Sequence, residues 1–126
     1  MYFVNPHNGL GSNYLIDMYG LEANSFYEDD LELKLRSLAK EFNCTPIKFQ
    51  NHRFSPQGYT AVLLLKESHL SIHTWPEKDY IAIDFFSCGA IPEINFVKET
   101  IASLFKAKFV NIEKVVRGNH KQNKGN

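Results

Sequence analysis

Hydrophobic and polar positions alternate along several short segments of the chain, and this period of two predicts β-strands. "PIKFQNHRF" (46–54) and "YTAVLLLKE" (59–67) are separated by the turn-forming residues "SPQG", and "HLSIHTW" (69–75) and "YIAIDFF" (80–86) by "PEKD". Each pair is therefore predicted to be antiparallel. A first strand is predicted at "YLIDMY" (14–19), after the loop "NPHNGLGSN", and a last one at "KFVNIEKVV" (108–116).

Two other segments carry apolar residues at helical spacing. The first stripe consists of Leu31, Leu35, Leu38, Ala39 and Phe42, with Asp29 and Asp30 at its start and Asn43 and Pro46 at its end. The second helix is predicted from about Pro92 to Lys106, with proline near its first turn.

The order of these elements predicts an α+β fold. An antiparallel sheet would carry both helices on one face, which makes a two-layer sandwich. The apolar strand "YTAVLLL" has more hydrophobic positions than one covered face requires. The second face could meet solvent, but part of it is therefore expected to meet another copy of the chain and form a larger sandwich.

Length and charge limit the class of protein. A chain of 126 residues predicts one domain, 1–126, and 14 basic residues balance 14 acidic ones. This balance gives no support for binding nucleic acid or an anionic membrane. The N-terminus lacks a targeting pattern and the longest aliphatic run is "AVLLL" (61–65), so a cytoplasmic protein is expected. The polar end 119–126 is expected to be a flexible tail.

Cysteine and histidine spacing gives little support for a disulfide or metal framework. The chain has only Cys44 and Cys88. His69 and His73 stand four apart, a spacing that brings ligands together on a helix but not on the strand predicted here. No metal site is predicted.

The Glu67-Ser68 peptide bond is the first candidate for chemistry. A serine hydroxyl can attack the carbonyl of its own preceding peptide and form an ester if donors stabilise the oxyanion. Removal of the serine α-proton then eliminates the ester, and the new dehydroalanine hydrolyses to a pyruvoyl group. The imidazole of His73 and the hydroxyl of Thr60 lie on neighbouring segments and are candidates for these steps.

A pyruvoyl group would supply an electrophilic carbonyl. It condenses with a substrate amine to a Schiff base and accepts the electrons released when a carboxylate leaves as CO2. The resulting carbanion needs a proton, which a positioned thiol can donate. Cys88, in "FFSCG" at the end of a predicted strand, is the candidate donor.

Three segments carry a family resemblance. "KESHLSIHTWPE" (66–77), "YIAIDFFSCG" (80–89) and "FQNHRFSPQG" (49–58) resemble the bacterial and archaeal type of S-adenosylmethionine decarboxylase, and a weaker match runs from about Gly11 to Gly118. The resemblance implies a proenzyme that cuts itself between Glu67 and Ser68 and acts in polyamine synthesis. It assigns Ser68 to the pyruvoyl group, His73 to processing and Cys88 to proton donation.

The same resemblance implies a homodimer of cleaved protomers with sites at the interface. By position, Phe54 and Trp75 would stack on the nucleoside of S-adenosylmethionine, and Glu77 would accept hydrogen bonds from its ribose. Two departures from the family pattern stand out: Gly11-Ser12-Asn13 replaces Gly-Arg-His, and Thr60 replaces a serine.

The altered N-terminal segment leaves other functions open. One alternative keeps the pyruvoyl chemistry with ornithine or arginine as substrate. Another is an uncleaved homologue that regulates an active partner, although such a protein has no use for Ser68, His73 and Cys88 together. A plain α+β binding domain would leave the coincidence of these residues unexplained.

Overall fold

A computed structural model describes residues 3–4, by their backbone, and 9–118. Three short 3-10 turns lie at Ala23–Phe26, Glu28–Asp30 and Pro76–Lys78. The strands and helices follow in chain order as β1 (Phe3–Val4), β2 (Gly11–Tyr19), α1 (Leu31–Glu41), β3 (Pro46–Arg53), β4 (Tyr59–Leu65), β5 (Ser68–Trp75), β6 (Tyr80–Ser87), β7 (Ile91–Pro92), α2 (Ile94–Phe105) and β8 (Phe109–Arg117).

Six strands form one antiparallel sheet in the order β3-β4-β5-β6-β2-β8. The strands β3 to β6 are consecutive hairpins, and β2 then pairs with both β6 and β8. β1 and β7 form a separate two-stranded pair. In the central hairpin Ser68 lies opposite Ser87, so the start of β5 is beside the end of β6.

Both helices pack on the same face of the sheet. α1 buries Leu31, Leu35, Leu38 and Ala39, and α2 buries Val97, Ile101 and Phe105, in one cluster with the core-facing residues of the strands. Alternate burial along β5 and β6 gives each strand one core-facing and one outward-facing row. The α+β, two-layer fold predicted from the sequence is confirmed.

The outward-facing row defines a surface that we call the open face. Neither helix covers it, and it carries large hydrophobic side chains that are partly exposed: Leu15, Tyr19, Val62, Leu64, Trp75 and Phe109. Polar groups lie between them, including Thr60, His69, His73 and Asp84. This mixture differs from an ordinary solvated sheet face, which is predominantly polar.

The start of α2 differs from the prediction. Pro92 is not in the first turn but in β7, where its carbonyl accepts a hydrogen bond from the buried Tyr14 hydroxyl at 2.8 Å. Burial, with a smaller contribution from the charge of Glu93, raises the pKa of Tyr14 to about 12. The helix begins at Ile94 because the Glu93 carboxylate caps it, accepting from the backbone N–H groups of Asn95 and Phe96 at 3.0 and 3.2 Å.

The first long strand is also longer than predicted. β2 begins at Gly11 rather than at Tyr14, because Gly11, Ser12 and Asn13 pair with β8 and two of them also pair with β6. Hydrogen bonding to both neighbours outweighs the loop preference of glycine and asparagine. The tail 119–126 lies outside the described residues.

Candidate active site

The Glu67-Ser68 bond lies where a bend ends and β5 begins. The carbonyl oxygen of Glu67 accepts two hydrogen bonds from one residue, Cys88, which follows β6. The backbone N–H of Cys88 donates at 3.3 Å and its thiol donates at 3.2 Å. The register that pairs Ser68 with Ser87 therefore places Cys88 against the peptide bond expected to break.

Two donors on one carbonyl polarise it. If the Ser68 hydroxyl attacks the Glu67 carbonyl carbon, negative charge develops on the oxygen that Cys88 already contacts. The pairing of β5 with β6 holds the backbone N–H of Cys88 in place, and the thiol of Cys88 is a second donor to the same oxygen. The arrangement can serve as an oxyanion hole for an N-to-O acyl shift.

The Ser68 side chain points toward the core and is buried, with 8% of its surface exposed. Its hydroxyl donates to the sulfur of Cys44 at 3.9 Å, and the Cys44 thiol donates to the Phe42 carbonyl at 3.5 Å. Burial raises the pKa of the Cys44 thiol, so this thiol stays neutral near pH 7. Sequence reasoning assigned Cys44 no chemical role, and the contact has no local sequence signal because it joins segments 24 residues apart.

A cavity of about 350 Å³ lies at this end of the sheet, lined by Asn43, Cys44, Glu67, Ser87, Gly89 and Ala90. Glu67, Ser68 and Cys88 thus form one cluster beside a cavity.

A second cluster lies at the other end of β5. Thr60 and His73 are direct cross-strand partners, and Thr60 Oγ1 lies 3.0 Å from His73 Nδ1. The His73 ring also contacts Trp75, with ring centroids 6.1 Å apart.

These residues border a cavity of about 500 Å³. Its lining consists of Phe54, Gln57, Gly58, Tyr59, Thr60, His73, Thr74, Trp75 and Glu77. The Thr74 hydroxyl oxygen in this lining is buried and has no hydrogen-bond partner within the described part of the chain. The predicted substrate residues Phe54, Trp75 and Glu77 are therefore brought together, beside Thr60 and His73.

The two clusters are separate within one protomer. Ser68 and His73 are five residues apart on β5, which corresponds to about 16 Å along an extended strand. Their side chains also lie on opposite faces of the sheet, Ser68 toward the core and His73 on the open face. One chain by itself does not bring His73 and Thr60 to the Glu67-Ser68 bond.

The segment that departs from the family pattern lies on β2. Ser12 is buried on the core face. The Asn13 side-chain oxygen accepts a hydrogen bond from the Arg117 guanidinium at 3.1 Å. Arg117 and Asn13 border an open-face cavity of about 810 Å³, which His69 and Phe86 also line. A guanidinium is thus present beside this segment although position 12 holds a serine.

Two further properties concern the described residues only. Among them, no group of three or more His, Cys, Asp or Glu side chains is arranged to hold a metal ion. None of their helices combines the length and apolar character needed to cross a membrane.

The sheet with two helices on one face, and a serine whose preceding carbonyl accepts hydrogen bonds from a cysteine, define the class of the chain as an α+β protein with a candidate self-processing site. The family model described as S-adenosylmethionine decarboxylase matches residues 12–118. The chain belongs to the S-adenosylmethionine decarboxylase family.

Individual relatives agree with this assignment. The S-adenosylmethionine decarboxylase proenzyme of Sulfurihydrogenibium sp. is 36% identical over 110 residues, covering 86% of this chain and 83% of the relative. That of Methanococcus vannielii is 39% identical over 118 residues, covering 85% and 97%.

Solved structures agree as well. The crystal structure of the adenosylmethionine decarboxylase of Aquifex aeolicus matches with a TM-score of 0.77 at 32% identity, covering 87% of this chain and 92% of that one. A Trypanosoma brucei AdoMetDC structure shares the fold, with a TM-score of 0.57 at 16% identity.

Proposed function

We propose that this chain is a proenzyme that cuts itself between Glu67 and Ser68 and then decarboxylates S-adenosylmethionine to the aminopropyl donor of polyamine synthesis. Family membership supports the reaction, and one observation supports the position of the cut. The Glu67 carbonyl oxygen accepts hydrogen bonds from both the backbone N–H and the thiol of Cys88. The backbone contact continues the β5–β6 pairing, and the thiol contact adds a donor that strand pairing does not supply.

Self-processing begins with the Ser68 hydroxyl. Its oxygen bonds to the Glu67 carbonyl carbon, the C–N bond breaks, and the hydroxyl proton ends on the freed amine. His73 is the base that then removes the α-proton of residue 68, with Thr60 orienting its ring through the 3.0 Å contact. The bond between Ser68 Cβ and Oγ then breaks, which leaves Glu67 with a free carboxylate and residue 68 as dehydroalanine. Water hydrolyses the dehydroalanine, its nitrogen leaves as ammonia, and a carbonyl takes its place.

The group so formed supplies an electron-accepting carbonyl for decarboxylation. The residues around position 68 fit a pyruvoyl group. Cys88 lies against the preceding carbonyl, and the neighbouring Cys44 thiol is neutral and half-buried. Cys88 is exposed at the sheet end, where its thiol can give a proton to the substrate carbon. Cys88 therefore acts first in processing and again in turnover.

The aromatic cavity holds the nucleoside. The residues Phe54 and Trp75 are 51% and 39% exposed, so their rings are accessible for an adenine to stack on. Glu77 borders the same cavity and accepts hydrogen bonds from ribose hydroxyls.

The active form is a homodimer in which each site takes residues from both protomers. The partly exposed apolar side chains of the open face support a second copy as their cover. A two-fold axis that lies between the two sheets, at right angles to the direction of β5 and level with its middle, lays the His73 end of one strand over the Ser68 end of the other. This operation closes the separation of about 16 Å along the strand and lays the partner's His73 over the backbone of residue 68, whose α-proton it removes.

The first test is an intact mass spectrum of the purified chain, followed by an assay of CO2 release. We expect two fragments that meet at 67/68, the second blocked by a group that takes up a carbonyl-trapping reagent, and we expect Ser68→Ala to remain whole and inactive. Cleavage that survives in Ser68→Ala would contradict the processing mechanism.

The same assay tests the substrate. S-adenosylmethionine should release CO2, while ornithine and arginine, which the family match does not favour, should not. The uncleaved regulatory homologue is likewise not favoured, and an uncut wild-type chain would revive it. The cytoplasmic location stays a prediction from sequence.

A further inference from the structure

The turn between β5 and β6 has an unusual backbone. It carries Glu77 and directly follows Trp75, and it ends at Asp79, which has φ 50° and ψ 51°. This left-handed conformation favours glycine and is unfavourable for a residue with a side chain. Such a residue persists only when its surroundings hold it in place.

The Asp79 carboxylate provides that support. One oxygen accepts the backbone N–H of Gly20 and the other accepts the backbone N–H of Leu21, both at 2.8 Å. These two residues follow β2 and are nearly 60 positions away in sequence. The carboxylate thereby fastens the turn to the end of a strand on the far side of β6.

Tyr80 makes a second attachment to β2. Its hydroxyl donates to the Asp17 carboxylate at 2.5 Å. Its ring stacks between two others, with centroids 5.2 Å from Trp75 and 5.1 Å from Tyr19. Trp75 therefore has one face packed on a ring that is itself held by a hydrogen bond.

We propose that Asp79 is a positioning residue for the nucleoside cavity. It holds the turn so that Trp75 and Glu77 already line this cavity before the substrate binds. The inference rests on the proposed function for the identity of the substrate. Asp79 does not line that cavity, and it acts through the backbone of the turn. A turn ordered in advance loses less conformational freedom on binding, so its effect is on affinity.

Asp79→Gly is the decisive variant. Glycine accepts the left-handed backbone without strain, so a purely conformational role would be kept or improved, whereas the two hydrogen bonds would be lost. We expect KM for S-adenosylmethionine to rise about 10-fold, with kcat and the rate of self-cleavage within about twofold of wild type. Asp79→Asn retains one accepting oxygen, so its KM should lie between those of wild type and Asp79→Gly.

Lys106→Gly is the matched control. Lys106 also has a positive φ, 54°, and it lies at the end of α2 outside the cavity that Trp75 and Glu77 line. Its replacement by glycine should leave KM unchanged. A wild-type KM in Asp79→Gly would overturn the proposal.

A second measurement does not depend on the substrate. Trp75 is the only tryptophan in the chain, so the fluorescence reports on this one position, directly before the turn. Acrylamide should quench it more strongly in Asp79→Gly than in wild type or Lys106→Gly, and equal quenching would also overturn the proposal. If the wild-type enzyme does not decarboxylate S-adenosylmethionine, the proposed function fails, while the quenching still tests whether the Asp79 carboxylate holds the turn.

Discussion

At the scale of single residues, Cys88 has the most chemistry to explain. Its backbone N–H and its thiol make different contributions, because only the thiol depends on the side chain. A substitution can therefore remove one donor from the Glu67 carbonyl and leave the other in place. The same substitution removes the proton donor proposed for turnover.

We predict that Cys88→Ala still cuts itself, but about 10-fold more slowly, because one of two oxyanion donors is lost. CO2 release by the cleaved variant should fall about 100-fold, because the carbanion lacks its acid. Cleavage is measured by mass spectrometry over time and turnover by trapped CO2.

Cys88→Ser separates the two roles. Its hydroxyl can donate to the Glu67 carbonyl, so cleavage should return to near the wild-type rate, while turnover stays low because a hydroxyl is a poorer acid than a thiol. Full turnover in Cys88→Ser would show that the thiol proton is not used.

The sequence offered these residues as candidates but did not predict their arrangement. Ser68, Cys88 and Glu67 do meet, but only because the β5–β6 register places Ser87 opposite Ser68, and register is a property of the pair of strands. His73 is close to Ser68 in sequence yet far from it in space, since an extended strand separates neighbours more than a helix does. The Cys44 contact depends on tertiary packing alone.

At the scale of secondary-structure elements, the apolar stripe of α1 predicted its limits to within one residue, because periodic burial dominates there. The start of α2 was wrong by two residues. Proline favours the first turn of a helix, but the carboxylate of Glu93 caps the N-terminus of α2 and thereby sets its first residue. The two-residue strands β1 and β7 are too short to leave a periodic pattern.

The Glu93 cap can be tested on stability. In a Ser68→Ala background, which keeps the chain whole, we predict that Glu93→Ala lowers the free energy of unfolding by about 1 kcal/mol, because the N–H groups of Asn95 and Phe96 lose their acceptor. Urea unfolding followed by circular dichroism measures the change.

Glu99→Ala is the matched control for the cap. It removes the same charge from an exposed position within α2, away from the helix start. Its effect should stay within about 0.5 kcal/mol. An equal loss in both variants would mean that the charge of the helix, and not the cap, is responsible.

At the scale of the whole molecule, the layout of β5 supports the proposed second copy. The strand carries the residue to be cut at one end and the proposed base at the other, on opposite faces of the sheet. No rotamer change bridges about 16 Å, so a base in the same chain cannot reach residue 68 without breaking the sheet. In the proposed dimer, a partner whose β5 runs in the reverse direction across the open face supplies the missing end.

This arrangement predicts complementation between two inactive chains. Ser68→Ala has no nucleophile and His73→Ala has no base, so each alone should remain uncut. When both are expressed together, a mixed dimer contains one complete site, formed by Ser68 of the His73→Ala chain and His73 of the Ser68→Ala chain. The mass spectrum should then show cleavage of the His73→Ala chain only, reaching about half of its copies if the chains pair at random.

The Ser68→Ala chain must stay whole, which makes it the internal control. If neither chain is cut although mixed dimers are isolated, the base acts within its own protomer and the composite site is wrong.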